Sequence, residues 1–96
     1  MGTIQDTLSD KRSEIIRISQ SHGMLNPRVF GSVSRGAENP NDLDILVKAE
    51  PGRSYFDLIE YSDALEKLIG IPVDVITEGG LSPFLRDEIL SSAKVL

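Results

Sequence analysis

Apolar residues change their spacing several times along this chain, and each change marks an element. Ile4, Leu8, Ile15 and Ile18 recur at near-helical intervals, so residues 3–22 read as a helix. Thr3 and Asp6 have the spacing of a capping box, with Asp in place of the usual Glu or Gln, and Gly23 supplies a C-terminal stop. His22 falls in the last turn, where a histidine meets the helix dipole favourably, a structural role rather than a catalytic one.

From Pro27 the period shortens. Arg28-Val29-Phe30 reads as an extended stretch ended by Gly31-Ser32, and residues 33–41 (VSRGAENPN) are polar and turn-rich, with room for a short helix after Ser32. Asp42 to Lys48 reads as a strand, with Leu43, Ile45 and Val47 on one face and Asp42, Asp44 and Leu46 on the other. The link between the two strands is shorter than the dozen or so residues of a parallel crossover, so they should be antiparallel neighbours.

Pro51-Gly52 marks a turn, and Ser54 with Asp57 repeats the capping-box spacing. Leu58, Tyr61, Leu65 and Leu68 then form one helical stripe that Gly70 ends. Pro72 opens a third strand, Val73 to Ile76, followed by a loop from Thr77 to Gly80. Ser82-Pro83 suits the N-cap and first turn of a last helix that turns Leu85 and Ile89 inward. The order α-β-β-α-β-α predicts an α+β fold, a small mixed sheet with helices packed on it.

Composition narrows the function classes. A chain of 96 residues, 40% hydrophobic and 26% charged, has the length and balance of one globular domain spanning residues 1–96. It contains no cysteine, which excludes a disulfide framework and a thiolate metal site. No apolar run approaches the ~20 residues that span a bilayer, and the first residues lack a signal-peptide core, so a cytoplasmic setting is expected. A net charge of −5 argues against a standalone module for the phosphate backbone of nucleic acids. So small a catalytic domain has little surface for an acceptor-binding module, and the acceptor should come from outside.

The chemistry lies in three carboxylates placed in strands that otherwise select apolar residues. Asp is depleted from strands, yet Asp42, Asp44 and Asp74 each lie within or at the start of one. Asp42 and Asp44, two apart, point to the same face and can converge on one hard cation; a neighbouring strand would add Asp74. Mg2+ or Mn2+ held through oxygen would relieve the repulsion. Gly31 lets a phosphate approach the backbone, the Ser32 hydroxyl can donate to it, and Arg35 can reach the same phosphates. Taken one at a time these residues have ordinary readings. Asp42 could be a turn residue, Asp74 could pair with Lys48 or Arg28, Gly31-Ser32 could be a turn alone and Arg35 a solvated charge. Together they describe a site for a metal-bound nucleoside triphosphate.

The run VFGSVSRGAENPNDLDILV resembles the signature of the DNA polymerase β-like nucleotidyltransferase superfamily, and most of all its minimal nucleotidyltransferases, the MNT or MntA-like proteins. The resemblance continues through IPVDVITEGGLSPFLRDEIL and so covers most of the chain. Nine residues separate Ser32 from Asp42, one fewer than the family's usual spacing, with the deletion falling in the turn AENPN. The resemblance implies that Gly31 and Ser32 hold the triphosphate, with Arg35 as a further phosphate contact. It implies that Asp42, Asp44 and Asp74 are catalytic and metal-binding, Asp42 and Asp44 as ligands and Asp74 helping to activate the acceptor hydroxyl.

Because such proteins pair with a small helical HEPN ribonuclease toxin, the resemblance further implies an antitoxin that moves AMP from ATP to a toxin tyrosine. Two other readings stay open: a binding module that neutralises its partner by complex formation, and a subunit acting on a small molecule or an RNA end. Leu81, Phe84 and Val95-Leu96 could form an exposed apolar end that meets a partner, although core packing is the expectation for most of them.

Overall fold

The computed structural model describes residues 2–96. Its elements are helices α1 (Ile4–Asp10) and α2 (Arg12–Ser21), strands β1 (Met24–Phe30) and β2 (Leu43–Ala49), helix α3 (Tyr55–Ile69), strand β3 (Val73–Thr77), a single 3-10 turn (Glu78–Gly80), helix α4 (Arg86–Ser92) and the short strand β4 (Lys94–Val95). The fold is α+β, as the pattern predicts. Among the described residues no helix is long and apolar enough to cross a membrane.

The sheet runs β3-β2-β1-β4, with β1 antiparallel to both β2 and β4 and with β2 parallel to β3. The antiparallel β1–β2 pair follows from their short link. The parallel pair is closed by α3, the helical crossover such pairing requires. Alternation along the strands sends Val29, Leu43, Ile45, Val47 and Val73 to one face, where they pack with Ile4 and Leu8 of α1, Ile15 of α2 and Tyr61 and Leu65 of α3. Leu58 and Leu68, the other members of the α3 stripe, are half-buried against that core.

Both predicted capping boxes form: Thr3 with Asp6 and Ser54 with Asp57. Gly70 ends α3 in the left-handed conformation, φ +91°. His22 sits at the end of α2 as expected, its Nδ1 at 2.9 Å from the Ile18 carbonyl oxygen. Nearby, the Tyr61 hydroxyl lies 2.6 Å from Ser19 Oγ, itself a donor to the Ile15 carbonyl, and both side chains are buried. Burial pushes the Tyr61 phenol up to about 12, so it stays neutral and paired.

Four expectations need correction. The first helix is two helices, broken at Lys11, where the run SDKRSE buries nothing inward and its Ser and Asp side chains compete for backbone groups. β1 begins at Met24 rather than Arg28, because a register shift between Leu25 and Arg28, with Asn26 at φ +51°, carries the strand past Pro27. The last helix starts at Arg86 rather than at Ser82-Pro83: Ser82 Oγ accepts only a 3.4 Å bond from the Phe84 N–H, and residues 82–85 form a turn. Consequently Leu85 is exposed rather than inward, and Ile89 is half-buried. Of the apolar end residues, Leu96 packs against the core and Leu81 is half-buried, but Phe84 is 95% and Val95 70% exposed.

β4 had no sequence signal, being two residues opposite Arg28 and Val29. Its position fixes the path of the preceding segment. The chain leaves β3 at one edge of the sheet and rejoins at the other, while α1, α2 and α3 occupy the core face. Residues 78–93 make that passage, starting with Glu78 beside Arg28 on the opposite face. Leu46 and Phe30, which point to that face and lie outside the main cluster, are 0% and 8% exposed.

Candidate active site

The three aspartates gather at one end of the second face. In the β2–β3 ladder Asp44 is the direct partner of Asp74, and in the β1–β2 ladder Asp44 faces Phe30, the residue before Gly31. Adjacent strands stand about 4.8 Å apart, so Asp44 and Asp74 are cross-strand neighbours on one face. Asp42 lies just before β2 and two residues from Asp44, exposed like Asp74, whereas Asp44 is half-buried. Burial first, then the charges of Asp42 and Asp74, raise the Asp44 carboxyl above the usual aspartate range, and Arg35 pulls in the other direction.

The ion pairs among the described residues join Arg28 to Glu78, Arg53 to Asp57 and Lys67 to Asp63. None takes up Asp42, Asp44 or Asp74, so the alternative of Asp74 held by Arg28 or Lys48 is not what the structure shows. Among the described residues, however, no three His, Cys, Asp or Glu side chains form a ready-made metal cage. The strands bring the carboxylates to one end of the sheet without closing them on a common point, as expected of like charges that repel. Their chemistry nevertheless fits a divalent cation, being hard carboxylate oxygens whose mutual repulsion already perturbs Asp44.

Opposite them, residues 31–36 form consecutive turns rather than a short helix. The turns are closed by the N–H groups of Arg35, Gly36 and Ala37, donating to the carbonyls of Ser32, Val33 and Ser32. The N–H groups of Ser32 and Val33 precede the first of these turn bonds. Ser34 Oγ donates to the Gly31 carbonyl at 2.8 Å. Val33, 2% exposed, plants the loop in the core; Gln5 donates to its carbonyl at 3.3 Å, and the Ile4 N–H donates to Glu38 at 2.9 Å. Sequence reasoning missed Val33, although an isolated apolar residue in a polar run was the available signal.

Gly31 has a second role that its sequence context concealed. Its φ is +69°, and a Cβ there would collide with the Asp44 carboxylate. Glycine makes room for the Asp44 carboxylate. Arg35 is exposed and close enough to influence Asp44, so it can reach a ligand held between loop and carboxylates. The larger cavities lie elsewhere: one of about 350 Å³ runs between α1 and β4, lined by Leu8, Val29, Val33 and Leu96.

A glycine-serine turn beside strand-borne aspartates, on a small mixed sheet backed by helices, is the arrangement expected of a nucleotidyltransferase. The chain belongs to that family: the nucleotidyltransferase domain family matches residues 13–96. It is 36% identical to MJ0435 of Methanocaldococcus jannaschii, a proposed protein adenylyltransferase, over 90% of this chain and 94% of that protein. A solved structure of a proposed minimal nucleotidyltransferase superposes with TM-score 0.86 at 40% identity, covering 100% of this chain and 97% of the other. A chain from the complex of a tri-AMPylated Shewanella oneidensis HEPN toxin with an MNT antitoxin shares the fold, with TM-score 0.69 at 20% identity. That match covers 91% of this chain and 69% of the other. The protein is therefore an enzyme of the nucleotidyltransferase class, a minimal member of the polymerase β-like superfamily.

Proposed function

We propose that this chain transfers AMP from ATP to a tyrosine hydroxyl of a partner protein, a HEPN-family toxin in the cytoplasm, and so acts as its antitoxin. The carrying observation is the register of Asp44 against Asp74, with Gly31-Ser32 at the adjoining strand end. The relative MJ0435, a proposed protein adenylyltransferase, supports the reaction class. The AMPylated toxin in the structural neighbour's complex supports the kind of acceptor. An extent of 40 × 29 × 19 Å around one core cluster supports a single catalytic domain.

In this reading the Ser32 hydroxyl and the N–H groups at the start of the turn hold the triphosphate, and Arg35 contacts it from the solvent side. Asp42 and Asp44, with Asp74 beside them, would hold Mg2+ or Mn2+. The cation would supply charge neutralisation for the triphosphate and a lowered pKa for the acceptor hydroxyl. Asp74, exposed at the sheet edge, takes the acceptor proton. A bond forms from the tyrosine oxygen to the α-phosphorus, the bond from that phosphorus to the bridging oxygen breaks, and pyrophosphate leaves. Positioning and electrostatics supply most of the acceleration.

The test is transfer from ATP labelled at the α-phosphate, with Mg2+, to a co-purifying partner. Label that appears with the wild type and vanishes with Asp44→Asn is the expected result. A stable complex that never acquires label from any nucleotide would overturn the enzyme reading of the pair in favour of neutralisation by binding.

A further inference from the structure

The second face of the sheet carries one more charged pair beside the aspartates. Val29 points into the core, so Arg28 and Phe30 point to the face that bears Asp44 and Asp74. Arg28 stands opposite Leu46, one alternation along β2 from Asp44. Its guanidinium does not stop at β2. Nη2 reaches Glu78, the residue after β3, so the ion pair spans the middle strand.

The pair is built rather than incidental. The two side chains are 11% and 25% exposed, which screens them less than a surface pair. Arg28 Nε donates to the Asn26 carbonyl at 2.9 Å, and that carbonyl is presented by the irregularity in β1. Arg86 Nη1 donates to the Glu78 carbonyl at 2.9 Å, so α4 is tied to the same point.

β3 is an edge strand, five residues long, and its register sets two like-charged carboxylates side by side. Near that end it is held from the core face, where Ser62 Oγ donates to the Val73 carbonyl at 2.7 Å. At the other end, on the catalytic face, it is held by Arg28 through Glu78. We infer that the Arg28–Glu78 pair is a positioning clamp that keeps Asp74 in register with Asp44 and thereby sets the spacing of the carboxylates for the divalent cation. The inference rests on the proposed metal-binding role of those aspartates.

The clamp and a simple charge effect predict different signs. If only the local field mattered, removing Glu78's negative charge would weaken cation binding and removing Arg28's positive charge would strengthen it. A clamp is lost from either side. The experiment is Mn2+ binding to the full chain, followed by calorimetry or by the free-Mn2+ paramagnetic signal, for wild type, Glu78→Gln, Arg28→Met and the exchanged pair Arg28→Glu/Glu78→Arg. Thermal melting of each variant reports whether it is folded. Both single variants should bind Mn2+ more weakly by up to about tenfold, the lower end of what losing a direct outer-shell contact costs, because the pair acts through β3 and not on the aspartates themselves. The exchanged pair should recover most of that loss, and Mn2+ dependence of AMP transfer should shift in parallel.

Folded single variants that bind as wild type does, opposite signs for the two, or no recovery in the exchanged pair would each overturn the clamp. Should one single variant fail to melt cooperatively, the other single variant and the exchanged pair decide. Asp44→Asn distinguishes failure of the clamp from failure of the metal site. Were the wild type not to bind Mn2+, or Asp44→Asn to bind it equally well, the metal-site reading itself would fall.

Discussion

Asp44 is the residue on which burial and like charge converge. Its carboxyl is raised by burial and by Asp42 and Asp74, so ionising it costs the apo fold free energy. A group whose folded pKa lies above its unfolded value contributes stability that is fully present below the unfolded pKa and lost as pH rises through the folded one. Asp44→Asn should therefore raise the melting temperature of the metal-free protein at neutral pH, and that gain should shrink as pH falls into the ordinary aspartate range. Melting curves across pH check the sign; a variant less stable than wild type at neutral pH contradicts it. The same substitution should lower AMP transfer by about two orders of magnitude or more, since it removes both a metal ligand and a charge.

Gly31 makes the complementary residue-scale prediction. Gly31→Ala places a side chain in the left-handed region, at about 1–2 kcal/mol, and pushes on the Asp44 carboxylate. Melting should fall by roughly 5–10 °C for a chain of this size. Transfer should fall further than the lost stability explains, as measured where both proteins are fully folded. The identity of these residues was legible in the sequence because charge inside an apolar strand is conspicuous. That Gly31 serves Asp44 was not, since the contact joins two strands and depends on register.

At the scale of elements, legibility followed periodicity. α3, with its stripe of Leu58, Tyr61, Leu65 and Leu68, its capping box and its terminal glycine, formed where all three signals agreed. β2 and β3 were readable because alternation and bounding turns coincided. Where local signals conflicted with tertiary demands the reading failed. Ser82-Pro83 is a good helix start that the chain uses as a turn, and β4 exists only because Arg28 and Val29 offer it an edge. The element-scale prediction concerns α2 and α3, joined by the Ser19–Tyr61 bond. Tyr61→Phe should cost about 1 kcal/mol in urea denaturation, because Ser19 keeps its own donor bond to Ile15. Transfer activity should be unchanged, for that bond lies on the opposite face of the sheet from the aspartates.

For the whole molecule, the arrangement is a division between faces. One side of the sheet is the core, closed by α1, α2 and α3. The other carries Asp44 and Asp74. Asp42 and Asp74 are exposed at the end of that face, and Asp44 is half-buried between them. Net charge and length could be read from the sequence; the path of the last segment could not, because it is imposed by where β4 finds its partner.

Nucleotidyl rather than phosphoryl transfer to a partner protein is the central proposal, and following two labels decides it. ATP labelled at the α-phosphate and ATP labelled at the γ-phosphate are offered in parallel to the complex with its co-purifying partner. The expected result is α-label on a partner tyrosine and γ-label recovered in pyrophosphate. γ-label on the partner, or α-label that remains when Asp44 is replaced by Asn, would contradict it.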